Sequence, residues 1–227
     1  MSLSGRGLAV AAWLLLLGCG LGVRLVGLTN PPLDAHHVRQ ADTASIARLM
    51  CRHGLDLLHP RIHWAGPRPT LVESELPLYA AITAAGWRAG GVCGVDHTWP
   101  RIQSIVWWLV GGLGLWLWVR RRLGGPTWPA LVLYTLSPLA LVFSRNIQPD
   151  AMGVAALLWA MYIADLEPGK GGARGLARAL AATLLFALGA LASGKPLFWA
   201  PLLLCLLCGR PARHRALAIV FATLVAA

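Results

Sequence analysis

The chain has 227 residues, of which 57% are hydrophobic and 13% are charged, and its formal net charge is +11. With a mean hydropathy of +0.62, it is far more apolar than a soluble domain, in which about 25% of residues are charged. The basic residues stand at the ends of apolar blocks, where they anchor helices against lipid headgroups, so nucleic acid is not an expected partner. The sequence predicts an all-α protein embedded in, and in contact with, membrane lipids.

Eight apolar blocks follow one another along the chain, as in a polytopic helical bundle. They are 8–28, 76–93, 102–119, 127–143, 150–166, 176–192, 196–208 and 216–227. The first lacks the short core and A-x-A site of a signal peptide, which indicates an uncleaved helix. The last has only about 12 residues before the end, too few for a span, and this predicts the front part of a longer fold.

Basic residues between the blocks predict the side of the membrane that each loop faces. If all eight blocks span, the Arg120–Arg122 cluster and two further basic loops lie outside, against the positive-inside rule. If 76–93 instead lies on the outer surface, every short loop obeys the rule. Pro77, Arg88 and four glycines in or next to this block favour an interfacial helix. We therefore predict one transmembrane domain, residues 1–227, with about seven spans.

This topology leaves one long outer loop, residues 29–101. It holds six of the seven histidines and six of the nine acidic residues, and loops of this length are usually functional or disordered. Its apolar content excludes disorder. Residues 42–58 have apolar positions near helical spacing, with Asp42 or Thr43 as the predicted cap and Gly54 as the predicted end or interruption. We expect horizontal surface helices in this loop.

Five cysteines do not form an obvious disulfide framework. Cys19, Cys205 and Cys208 lie in apolar blocks that we predict to span, where a cysteine serves as a small apolar side chain. Cys51 and Cys93 both fall in the outer loop and are able to pair, but the sequence leaves that pairing open.

Three stretches together resemble the C-type membrane glycosyltransferases, the superfamily of the lipid A aminoarabinose transferase and the protein O-mannosyltransferases. The first, 31–48 (PPLDAHHVRQADTASIAR), is similar to the D-x-H-x-x-R-Q pattern of bacterial members. The second, 73–79 (ESELPLY), is similar to the acidic-x-P-P-L-Y stretch at the end of the same loop. The third, 137–150 (SPLALVFSRNIQPD), is similar to the family's S-P…SR-x-x-x-P-D. They occur in the family's order and spacing, and the resemblance covers almost the whole chain.

The resemblance implies an inverting glycosyltransferase in the bacterial inner membrane, with its active face periplasmic. Such an enzyme moves a sugar from a polyprenyl-phosphate carrier to a glycan, lipid or protein acceptor. The reaction needs a carboxylate to deprotonate the acceptor hydroxyl. Asp34 matches the family's loop aspartate and is the first choice, with Asp42 as its competitor in either a catalytic or a helix-capping role. The family often has Asp-Glu where this chain has Asp34-Ala35.

The resemblance also indicates residues for the lipid phosphate, whose charge must be stabilised as it leaves. Arg39 and Gln40 either bind that phosphate or orient the acidic residues of the loop. Arg145 and Asp150 lie at the predicted outer membrane face, where we expect them to interact with each other or with the substrate. Lys195, just before a predicted span, is a further candidate.

A divalent metal ion is the only cofactor that the resemblance suggests. Glu75 matches an acidic residue that binds metal in some relatives, with His36 as a possible second ligand. No H-x-x-H or H-E-x-x-H spacing accompanies them, and the family's lysine next to this acidic residue is Leu76 here. The alternative to an enzyme is a truncated or degenerate non-catalytic membrane protein, or a transporter-like subunit.

Overall fold

The computed structural model describes residues 5–32, 36–63, 70–72, 75–94, 96–124, 126–166 and 173–194, without the side chains of 5–13 and 123. Within these residues the protein is mostly helical, with a single two-stranded antiparallel hairpin. The all-α prediction is confirmed apart from this hairpin, which the sequence analysis does not predict. The helices are α1 (Gly5–Leu25), α2 (His37–His53), α3 (Leu78–Ala89), α4 (Thr98–Leu123), α5 (Trp128–Leu136), α6 (Pro138–Phe143), α7 (Asp150–Asp165) and α8 (Ala173–Ser193); the strands are β1 (Arg61–Ile62) and β2 (Thr70–Leu71).

Four of the predicted apolar blocks coincide with single helices, namely α1, α4, α7 and α8. Among the described residues, two helices are long and apolar enough to cross a membrane by length and composition, Thr98–Arg122 and Ala173–Ser193. The last two predicted blocks, 196–208 and 216–227, lie outside the described residues.

The block 127–143 forms two helices, so the prediction of one continuous helix is wrong. Pro138 cannot donate a backbone hydrogen bond, and it restricts the residue before it to an extended conformation. Ser137 adopts that conformation, with φ −59° and ψ 135°. Its hydroxyl oxygen accepts a hydrogen bond from the backbone N–H of Ala140 at 3.2 Å. Ser137 therefore ends α5 and caps α6.

Arg24 of α1 is fully buried, and it links α1 to α5 and to the residue that follows α6. The break leaves the Thr135 carbonyl without a helical donor, and Arg24 Nη2 donates to it at 3.1 Å. Arg24 Nε donates to Ser144 Oγ at 2.5 Å. The guanidinium also lies 3.8 Å from the ring centre of Trp108, a favourable cation–π geometry. Neutral acceptors and an aromatic face thus hold this buried cation.

Helix α2 begins earlier than the sequence predicts. It starts at His37, after His36 in a left-handed conformation (φ 59°), so the predicted cap at Asp42 or Thr43 is wrong. The Thr43 hydroxyl donates to the Arg39 carbonyl at 2.9 Å, the i−4 bond of a residue inside a helix. The predicted end is confirmed: the helix stops before Gly54, whose φ of 110° favours glycine.

Helix α3 is the helical part of the block 76–93. Its 12 residues rise about 18 Å at 1.5 Å per residue, well short of the roughly 30 Å of a bilayer core. The expectation that this block does not span a membrane therefore agrees with the length of the helix.

Helices α2 and α3, which lie between α1 and α4 in the sequence, pack together into a small lobe. Its buried core is formed by Ala44, Ile46, Ala47, Met50, Cys51, Tyr79, Ala80, Ala84, Trp87, Ile147, Met152 and Ala192. A disulfide joins Cys51 to Cys93, 42 residues apart, and settles the pairing that the sequence leaves open. Arg88 donates to the carbonyls of Met50 and Cys51 at 2.9 and 2.8 Å. Both links fasten the end of α2 to the end of α3.

Helices α4, α7 and α8 form a second layer in which small residues set the spacing, with α7 packed against both of the others. A Cβ on Gly111 of α4 would lie 3.2 Å from the Ala155 Cα of α7, and one on Gly189 of α8 would lie 3.1 Å from the Gly153 carbonyl of α7. Glycine at these positions lets the helix backbones approach closely, as in helix packing within membranes.

Candidate functional site

The three stretches that carry the resemblance meet at one pocket of about 190 Å³. The stretches 31–48 and 73–79 contribute most of its wall, and 137–150 adds one residue. The lining residues are Arg39, Asp42, Thr43, Ile46, Ile62, Val72, Glu75, Leu76, Pro77, Tyr79, Ala80, Pro149 and Ala192. Most of the wall is apolar, with a few polar groups, which is the usual composition of a small-molecule site.

An ion pair between Arg39 and Glu75 crosses this pocket. Arg39 Nη2 lies 2.8 Å from both carboxylate oxygens of Glu75. The two side chains are 38% and 37% exposed, so they lie at the pocket's solvent side. A pair this exposed contributes roughly 0–1 kcal/mol to stability. It links α2 to the segment before α3 at the solvent side of the pocket.

Asp42 lies one helical turn after Arg39 and therefore on the same face of α2. It is partly exposed and lines the pocket. Since α2 begins five residues earlier, this carboxylate is not a helix cap. Among the described lining residues, the charged ones are one arginine and two carboxylates, and these three groups sum to a formal charge of −1 when ionised.

Tyr79 forms the buried base of the pocket. Its hydroxyl donates to the Pro100 carbonyl at 2.5 Å and also lies 2.8 Å from Ser104 Oγ. Burial raises the pKa of the Tyr79 phenol far above its ordinary value. This tyrosine attaches α3 to α4 and does not act as a proton donor or acceptor near neutral pH.

Gln40 points away from the pocket. It is fully buried, and its side-chain oxygen accepts a hydrogen bond from the Ile147 backbone N–H at 3.0 Å. This bond holds the 145–149 turn, and with it Pro149 of the pocket wall, against α2. The two roles that the sequence leaves open for Gln40, phosphate binding and orientation of the acidic residues, stay predictions.

Arg145 and Asp150 flank the turn before α7, and the expected interaction between their charged groups stays a prediction. Asp150 is buried at the start of α7 and accepts a hydrogen bond from Ser193 Oγ at 2.7 Å. The Arg145 carbonyl accepts one from Arg101 Nη1 at 3.1 Å. Neither residue is among the described residues that line the pocket.

Glu75 and His36, the residues suggested for a metal site, have different neighbours in the structure. His36 stacks on Phe143, with ring centres 5.3 Å apart, and does not line the pocket. Among residues with described positions, no three His, Cys, Asp or Glu side chains are placed to hold a metal ion. Glu75 has Arg39 as its charged neighbour instead.

Two of the predicted site residues, Asp34 and Lys195, lie outside the described residues. The neighbour of Lys195 in the chain is close to the pocket, since a Cβ on Gly194 would lie 4.0 Å from Glu75 Oε1. The Leu76 N–H also donates to the Leu191 carbonyl at 2.8 Å. The end of α8 thus borders the pocket beside Glu75.

Sequence reasoning missed the apolar part of the wall. Ile62 comes from the hairpin and Ala192 from α8, and neither residue type signals a site. Comparison with models of known protein families, with curated proteins and with solved structures finds no match. The function is therefore inferred from the chemistry of this pocket together with the three stretches that meet there.

Proposed function

We propose that this chain belongs to a membrane-bound glycosyltransferase that moves a sugar from a polyprenyl-phosphate carrier to an acceptor hydroxyl. The observation that supports this function is the meeting of three distant stretches at one pocket. Arg39 and Asp42 come from the first, Glu75 from the second and Pro149 from the third. These are the stretches in which the chain resembles the C-type glycosyltransferases.

The proposal places the α2–α3 lobe on the periplasmic side of a bacterial inner membrane. A disulfide such as Cys51–Cys93 persists in oxidising compartments, of which the periplasm is one. Helix α4 begins beside the lobe and ends at Arg120–Arg122, and such a basic cluster favours the cytoplasmic side. Both features support the same orientation. The seven-span arrangement is part of this proposal.

In the proposed reaction, a carboxylate accepts the proton of the acceptor hydroxyl while that oxygen attacks the anomeric carbon of the donor sugar. The bond from that carbon to the phosphate oxygen breaks, and the lipid phosphate leaves with the bonding electrons. One attack from the opposite side inverts the anomeric configuration. The proposal takes Asp42, which lines the pocket, as this carboxylate; Asp34, the first choice from the resemblance, lies outside the described residues and is the alternative. Arg39 fixes Glu75 beside it.

The test is sugar transfer by the full-length protein in proteoliposomes that contain defined polyprenyl-phosphate sugars. Asp42→Asn removes the proton acceptor and hardly changes shape, so we expect a rate loss of about a hundredfold to ten-thousandfold. Asp56→Asn is the matched control, because Asp56 is exposed and lies outside the pocket.

Asp34→Asn is measured in parallel to identify the base. Normal transfer by Asp42→Asn with a dead Asp34→Asn would move the base to Asp34 and leave the function intact. Absence of transfer by the wild-type protein from any donor would reject the enzyme and favour a non-catalytic membrane protein.

A further inference from the structure

We infer that the pocket between α2 and α3 binds a neutral, hydroxyl-rich ring the size of one sugar residue, and that Arg39 acts there as the partner of Glu75 and not as a phosphate ligand. This inference deepens the proposed function and rests on it for the identity of the ring as an acceptor. The binding chemistry itself follows from the pocket.

Charge is the first reason. Among the described residues, one arginine and two carboxylates line the pocket, and the arginine already contacts both oxygens of Glu75 at 2.8 Å. A phosphate would have to break this pair and would still meet the carboxylates of Asp42 and Glu75. Like charges at such short range repel. The pocket therefore disfavours an anion and favours a neutral ligand.

Hydrogen-bonding capacity is the second reason. An ionised carboxylate only accepts hydrogen bonds, so it matches a ligand that donates several of them. Sugar hydroxyls are such donors. Asp42 and Glu75 stand on different segments that both face the pocket, so they are placed to hold separate hydroxyls of one ring.

The shape and composition of the wall agree with this ligand. A volume of about 190 Å³ is below the roughly 300–1,000 Å³ of pockets that take drug-sized molecules. It suits one small ring and excludes a polyprenyl chain. Ile46, Ile62 and Val72 form an apolar side, against which the C–H face of a sugar ring packs while its hydroxyls face the carboxylates.

Binding is tested on the full-length protein in nanodiscs by saturation-transfer difference NMR with a panel of neutral methyl hexopyranosides and pentopyranosides. Inorganic phosphate is tested separately by the width of its phosphorus resonance. We expect sugar signals from the wild-type protein that excess phosphate does not reduce, and no phosphate broadening.

Two variants sharpen this test. Asp42→Asn should weaken the sugar signal about tenfold, as expected for one charge-assisted hydrogen bond. Glu75→Gln should weaken it similarly and should also introduce phosphate broadening, because Arg39 is then released. Asp56→Asn and Arg52→Gln are controls, since both side chains are exposed and lie outside the pocket. Tryptophan-fluorescence melting confirms that each variant is folded.

Phosphate broadening in the wild-type protein that disappears in Arg39→Gln would overturn the inference. Absence of a sugar signal from the whole panel would overturn it as well. Sugar binding without transfer from any polyprenyl-phosphate donor would leave the inference standing and reject the proposed enzyme.

Where transfer is observed, kinetics distinguishes whether the pocket binds the acceptor or the donor sugar. If the pocket holds the acceptor, Glu75→Gln raises the KM for the acceptor and leaves the KM for the donor unchanged. The opposite result would assign the pocket to the donor sugar and would overturn the acceptor assignment.

Discussion

The side-chain oxygen of Gln40 accepts a hydrogen bond from the backbone N–H of Ile147 at 3.0 Å, across 107 residues of sequence. Both residues are fully buried, so neither group has water as an alternative partner. Pro149 of the pocket wall follows Ile147 by two residues. This one bond therefore connects the position of the turn before α7 to the helix that carries Arg39 and Asp42.

Replacing Gln40 with leucine tests this connection. The change keeps the side-chain size but leaves the Ile147 N–H unsatisfied, which costs about 1–3 kcal/mol of folding free energy. We expect a lower melting temperature and weaker sugar binding in the pocket. Arg52→Gln, an exposed change in the same helix, should alter neither. A Gln40→Leu protein that melts and binds like the wild type would show that the turn is held by other contacts.

Two glycines near the end of α3 form a matched pair for a packing test. A Cβ on Gly86 would lie 2.1 Å from Trp99 Nε1, whereas the nearest atom to a Cβ on Gly90 is 3.6 Å away. Gly86→Ala should therefore destabilise the lobe by about 1–3 kcal/mol through overpacking, and Gly90→Ala should have little effect. Thermal melting of both variants decides the matter. Equal melting temperatures would mean that Trp99 moves aside without cost.

The lobe should lose stability on mild acidification because of His97. Burial lowers the pKa of this imidazole, and the nearby guanidinium groups of Arg48 and Arg101 lower it further, against a smaller opposing effect of Asp96. A group whose pKa is lower in the folded state gains its proton first in the unfolded chain. Stability is then complete above the unfolded-state pKa of about 6.5 and falls as the pH drops from there through the folded-state pKa.

The measurement is the melting temperature as a function of pH, from about pH 8 to pH 5, the range in which histidine titrates. His97→Gln should flatten the curve over this range. His53→Gln should leave it unchanged, since His53 is exposed. A His97→Gln curve as steep as that of the wild type would assign the pH dependence to other groups.

Membrane orientation is tested by thiol labelling in intact cells. A cysteine at Leu71, which is exposed in the lobe, should react with an impermeant reagent, and one at Arg120 in the basic cluster should not. The background lacks the free Cys19 and also Cys205 and Cys208. Labelling at position 120 would contradict the seven-span topology and return 76–93 to a spanning role.

The sequence alone predicts much of the helical framework, because an apolar run of spanning length has few other ways to satisfy its backbone. It also predicts the end of α2 at Gly54, because a glycine after a periodic segment is a local signal. It fails at the start of α2, because Asp42 is of a residue type that often caps helices but lies inside this one. It also fails at Ser137, where a Ser-Pro pair divides an apolar block that hydropathy treats as continuous.

Only the tertiary structure decides which residues line the pocket and which of them pair. The sequence identifies Arg39, Asp42 and Glu75 as functional candidates, but nothing local indicates that Arg39 and Glu75 pair or that Asp42 lines the same cavity. It likewise leaves open the disulfide between Cys51 and Cys93. Helix formation depends on neighbours within about four residues, so a sequence pattern reveals it. Ion pairs, hydrogen bonds and cavities depend on distances of a few ångströms between side chains far apart in sequence, and only the packing of α2, α3, α7 and α8 fixes those distances.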